Sequence, residues 1–89
     1  SPFRQRIGAR RRRLVQLLAG LTPTDIVVTV YDDATGDPAS GAQSGAASVI
    51  PAGIVTPLLH PATLGWYRVD VAFKSGDEDY LEYFRFEVY

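Results

Sequence analysis

From Trp66 to Phe73 the chain alternates without a break. Tyr67, Val69, Val71 and Phe73 fall on one parity, and Trp66, Arg68, Asp70 and Ala72 on the other. A period of two sends these sets to opposite faces of a strand, whereas a helix would scatter the apolar set around its circumference. This stretch commits the chain to a half-buried sheet. Lys74-Ser75-Gly76-Asp77-Glu78 then reads as a hairpin turn. The returning strand, 79–89, has Phe84, Phe86 and Val88 on its inner face. Leu81 and Tyr83 lie on the opposite parity, which predicts a bulge or sheet switch near Tyr83-Phe84.

The same grammar continues upstream. Ile26, Val28 and Val30 alternate with Val27, Thr29 and Tyr31, and this double-sided apolar pattern predicts an inner strand or one covered by the N-terminal segment. Asp32–Pro38 is dense in turn formers. Residues 39–48 are small and polar, as in a mobile loop or weak edge strand. Val49-Ile50 and Ile54-Val55-Thr56 are short strand pieces that Pro51 and Pro57 confine to ends or edges. His60–Gly65 is a turn. Some five to seven short strands with turns every 8–12 residues favour a small antiparallel sandwich, a mainly β fold.

The first 23 residues read as an arm distinct from a body spanning 24–89. Phe3, Ile7, Leu14, Leu18 and Leu21 recur at spacings of three, four and seven, which predicts an amphipathic helix. Gly20 and Pro23 stop it near Ala19. Arg4, Arg6, Arg10, Arg11, Arg12 and Arg13 cover the rest of its surface, and residues 1–21 hold no acid. The arm thus carries +6, while residues 22–89 set three bases against ten acids, a charge of −7. Arginines packed this closely repel one another unless something negative lies near.

Size sharpens that point. A body of fewer than 70 residues without cysteine can draw on neither a large core nor disulfides, so association with other subunits is the expected source of added stability. No apolar run is long enough to span a membrane as a helix, and no membrane partner is expected. Leu14–Leu21 loosely resembles the apolar part of a secretion signal, but it is short and broken by Gln16 and Gly20. Ser1 would suit a chain that has lost its initiator methionine, and a processed or trimmed chain would look the same.

Little in the chain points to catalysis, a cofactor or a metal. His60, the one histidine, precedes Pro61 in a turn and would need a positioned partner to act as acid or base. Asp32, Asp33 and Asp37, and Asp77, Glu78 and Asp79, read as solvated turn carboxylates that do not match a calcium loop. The arginines admit three readings: phosphate neutralisation, docking on an acidic protein surface, or a solvated face. The −7 body repels DNA, and no aromatic interleaves with the arginines to stack on bases. Docking makes use of the apolar stripe as well as the charge. Trp66, on outward parity, joins the arm residues as a partner-binding candidate.

Several stretches carry a family resemblance. Asp25-Ile26-Val27-Val28-Thr29-Val30-Tyr31-Asp32 running into Thr35-Gly36-Asp37-Pro38, His60-Pro61-Ala62-Thr63-Leu64-Gly65-Trp66-Tyr67-Arg68-Val69-Asp70-Val71, and Phe84-Arg85-Phe86-Glu87-Val88 resemble the strands of immunoglobulin-like domains of tailed-phage virion proteins. Leu64 is an extra residue against that pattern, and bacterial surface modules share these motifs. The likeness covers residues 25–89 and leaves out the arm. It implies an Ig-like sandwich with Tyr67 at a tyrosine corner. It also implies a non-enzymatic structural role in a virion: capsid decoration or cement first, then a head–tail connector or tail component. A nucleic-acid-binding accessory protein and a bacterial surface adhesion module are the alternatives from other classes. Multiple copies, with virion proteins as partners, are expected.

Overall fold

In a computed structural model, which describes residues 3–89, the alternating stretch becomes β8 (Gly65–Ser75) and its return strand β9 (Glu78–Val88). Their antiparallel register is unbroken from Gly65 opposite Val88 to Ser75 opposite Glu78. The expected bulge near Tyr83-Phe84 therefore does not form. Leu81 and Tyr83 keep their parity and face solvent, 61% and 64% exposed, beside Ala72 and Asp70 of β8. The opposite parity of the hairpin buries Tyr67, Val69, Val71, Phe73, Phe86 and Val88.

β3 (Thr24–Asp32) pairs antiparallel with the far side of β8 after a register shift between Thr24 and Val27. Asp25 sits in that irregularity at φ 52°, a left-handed conformation that aspartate tolerates better than most side chains. β3 is the end strand of its sheet, and no element covers its outer face: Val27 is 60% exposed, while Thr29 and Tyr31 are half-buried, Tyr31 beneath the Arg68 guanidinium. The expectation of an inner or covered strand fails on this point. What is covered is its edge: Ala39 N–H donates to Val30 O, the Gln43 side chain donates to Val28 O, and Asp32 N–H donates to Asp37 O. A row of open backbone groups is thereby closed to stray pairing.

A second layer runs through β6 (Gly53–Val55) and β7 (Leu58–Leu59), separated by Thr56 and Pro57. β5 (Ser48–Ile50) pairs with β6 and β4 (Gln43–Ser44) with β7, so the small polar stretch supplies short edge strands. Ile54 and Leu59 from this layer join Val30, Val69, Val71, Phe86 and Val88 from the first in one buried cluster. The chain is mainly β, and two layers sharing one core are consistent with a β-sandwich.

The predicted helix over the arm is not there. β1 (Phe3–Gln5) pairs parallel with β9, Phe3 opposite Phe86 and Gln5 opposite Val88. The chain then turns through Arg6–Arg10, with Gly8 at φ 81°. It crosses to the other layer, where β2 (Leu14–Gln16) pairs antiparallel with β6. The physical reason is twofold. A short helix dense in arginine gains nothing from i,i+4 pairing without acids and is marginal in water. The edges of β9 and β6 meanwhile offer unpaired backbone groups that the arm satisfies. Leu14-Val15-Gln16-Leu17 fits a period of two as well as a helical stripe, and here the period of two wins: Val15 and Leu17 pack against the core while Leu14 is 41% exposed.

Close approach fixes the second pairing. A Cβ on Gly53, whose φ is 152°, would run into the Val15 carbonyl oxygen and lie within 3.0 Å of its carbon. Only glycine lets the two backbones come this near.

Candidate functional site

The arm's crossing between layers produces a basic corner in which the six arginines divide into two groups. Three are tied into the fold. Arg13 is 9% exposed, and its guanidinium lies 4.4 Å from the Phe3 ring centre. Its Nη2 donates to Arg4 O and Gln5 Oε1, both at 3.4 Å. Gln5, itself buried, donates through Nε2 to Leu59 O at 2.6 Å and to Ala9 O at 3.2 Å. Arg13 N–H donates to Thr56 Oγ1, and Thr56 N–H donates to Arg13 O, both at 2.9 Å. This network locks the crossing to both layers. Burial holds the Arg13 guanidinium below the usual arginine value, and the neighbouring Arg11 charge adds to the effect. Arg13 Nε finds no hydrogen-bond partner among the described residues.

Arg12 closes a different gap, donating through Nη1 to Ala46 O at 2.9 Å and to Thr56 O at 3.0 Å. Arg4 lies 4.2 Å from the Tyr89 ring centre and 3.5 Å from Glu87 Oε1. The remaining three, Arg6, Arg10 and Arg11, are exposed and make no ion pair among the described residues. Arg11 is anchored only by its backbone, which exchanges hydrogen bonds with Leu59. Ile7, 44% exposed, stands in the turn between Arg6 and Arg10, with its N–H donating to Tyr89 O. Three exposed guanidiniums carried by the segment that also exposes Ile7 can each bind a carboxylate or phosphate bidentately.

The structure gathers some candidate residues here and disperses others. Phe3 packs edge-on against Phe84 at 5.6 Å and supports Arg13. Trp66, 39% exposed, sits opposite Glu87, which in turn sits opposite Arg4, so it borders the corner on the outer face of the sheet. Leu14 lies along the β2 edge. Leu18, 83% exposed, lies at the far end of the molecule, because β2 carries the chain away from the corner. No shared apolar stripe underlies the arginines.

Sequence reasoning missed the roles of Gln5 and Thr56, whose partners are set by pairings between distant segments. It also missed the partner of His60. The imidazole Nε2 is 2.9 Å from Ser44 Oγ, across the β4–β7 pair. Nothing among the described residues hydrogen-bonds the other ring nitrogen, so the pair lacks the orienting group that an activated nucleophile requires. Tyr67 makes the turn-binding contact that the resemblance implies for it: its hydroxyl donates to Thr63 O at 2.9 Å, and Thr63 Oγ1 lies at 2.6 Å. No cluster of metal-ligating side chains occurs among the described residues. No protein-family model matches the chain, and no curated protein matches it in sequence.

Proposed function

We propose that this is a non-enzymatic virion structural protein. In this reading it is an Ig-like sandwich that decorates or cements a capsid, present in many copies, each held to an acidic surface of a neighbouring subunit by its basic corner. The observation that carries docking is the division of the arginines. Arg4, Arg12 and Arg13 are used by the fold, whereas Arg6, Arg10 and Arg11, on the segment that exposes Ile7, have no ion-pair partner among the described residues. Like charges held together in this way are costly to the isolated fold and useful to a complex. Support for the sandwich class comes from strand order. The sheet β1-β9-β8-β3 has the first strand parallel to the last, facing a layer centred on β6, with a tyrosine corner at the start of β8. The virion setting rests on the resemblance of residues 25–89 and is the more distant step.

Co-sedimentation with empty tailed-phage capsids, run beside a duplex DNA titration, tests the reading. Capsid binding should fall with salt and be lost in the triple variant Arg6→Glu, Arg10→Glu, Arg11→Glu, while DNA binding stays weak. Tight, steeply salt-dependent DNA binding without capsid binding would overturn it in favour of a nucleic-acid accessory role.

A further inference from the structure

The β8–β9 ladder gives the molecule two ends. At one, Gly65 faces Val88, and the basic corner lies beside them through the Ile7–Tyr89 hydrogen bond. At the other, Ser75 faces Glu78, and Thr22 N–H donates to Ser75 Oγ. This far end holds an open groove of about 670 Å³ between the segment 17–24, the β5–β6 turn and Gly76. Leu17, Leu18, Leu21, Val49, Ile50 and Pro51 supply the apolar part of a lining that also exposes backbone and the hydroxyls of Thr22 and Thr24. Leu18, Val49 and Ile50 are 83%, 50% and 39% exposed. Its rim is acidic: Asp25 adjoins the lining residue Thr24, and Asp77 and Glu78 follow the lining residue Gly76. None of these three acids makes an ion pair among the described residues.

Each end thus offers what the other lacks. One presents an exposed isoleucine on a segment bearing unpaired arginines, the other a groove with exposed leucine, valine and isoleucine side chains and unpaired carboxylates next to its lining in the chain. We infer that the groove receives the basic corner of a second copy, Ile7 entering among Leu18, Val49 and Ile50 while Arg6 and Arg10 meet Asp77 and Glu78. This inference rests on the corner being the docking element and adds a second receptor for it. The contact is heterologous, because the two patches differ, so it propagates from copy to copy and does not stop at a pair. The molecule's two shorter dimensions are 25 and 22 Å, so a contact confined to one end is small for a specific interface. The contact is therefore weak between free molecules and salt-sensitive.

Sedimentation equilibrium of the intact protein, up to about millimolar concentration in low salt, should show a mean mass rising past the dimer and returning to monomer in high salt. The pair Arg6→Glu/Arg10→Glu and the pair Asp77→Lys/Glu78→Lys should each weaken association at least about tenfold. An equimolar mixture of the two variants should restore it, because each reversed end then meets its complement. Leu18→Ser, at a site too exposed to matter for folding, should also weaken it. A wild-type chain that stays monomeric throughout, or a mixture that fails to recover, overturns the inference. Capsid binding separates the two proposals: Asp77→Lys/Glu78→Lys leaves the basic corner intact and should bind capsids like the wild type. Wild-type protein that binds capsids but does not self-associate sinks only the groove; wild-type protein that does not bind capsids sinks the docking role itself.

Discussion

Arg11 and Arg13 stand two residues apart in one run, yet they meet opposite environments. Arg13 is buried against Phe3 and Gln5, while Arg11 reaches solvent from a backbone pinned to Leu59. The run is thus two devices in one stretch of sequence. Its inward members fasten the arm to both layers, and its outward members extend from the backbone that this fastening anchors. Preorganised charge binds with less loss of side-chain and chain entropy than charge on a loose tail. If the arm docks as proposed, its place in the sheets is what suits it to that role.

The strongest way to break this arrangement lies at Gly53. Gly53→Ala places a methyl group against the Val15 backbone and should part β2 from β6. A cost of roughly 3 kcal/mol, or a melting temperature lower by about 12–24 °C, is expected for a domain of this size. Hydrogen exchange should show Val15 and Gln16 losing protection before Val69 and Val71 do. Uniform loss would mean that the arm and the body unfold as one cooperative unit.

Next in size is Arg13. Arg13→Ala leaves Gln5 Oε1 buried without its donor and uncovers the Phe3 ring, at an expected cost of about 2 kcal/mol in urea denaturation. Arg13→Met keeps the packing and removes a buried charge that has no carboxylate partner among the described residues, so it should cost distinctly less. Equal losses in the two variants would show that the charge itself holds the crossing. Tyr67→Phe should follow at about 1 kcal/mol, or a melting temperature lower by about 4–8 °C, because it deletes only the hydroxyl that ties β8 to Thr63.

These residues also show what the sequence makes legible. The β8–β9 hairpin is readable because its determinants are local, alternation and a two-residue turn, whereas the Tyr67 corner is reached only through the family resemblance, although its hydroxyl lies four residues from its acceptor. The arm is not readable, because Leu14–Leu17 satisfies both periods and the decision rests with distant partners, Val55 and Ile54, which no local pattern announces. The parallel pairing of β1 with β9 joins residues more than eighty positions apart. Leu81 and Tyr83 suggest a bulge only under the assumption that large apolar residues turn inward, an assumption the open outer face does not meet. At the candidate site the arginines are visible at once, but their division is not. Arginine is rarely buried, and nothing local marks Arg13 as the exception.

The smallest effect sharpens the comparison most. Replacing Arg6, Arg10 and Arg11 together by glutamine removes three charges from one corner and, by the geometry above, no ion pair within the fold. Stability should therefore stay within about 0.5 kcal/mol per site, and any change should be a gain, because like-charge repulsion is relieved. That gain should be visible at low salt and vanish at high salt, where the wild-type corner is already screened. Thermal melts of the two proteins across a salt series measure it directly. A salt-independent loss would mean that these side chains fasten the arm as Arg13 does, and the division between inward and outward arginines would have to be withdrawn.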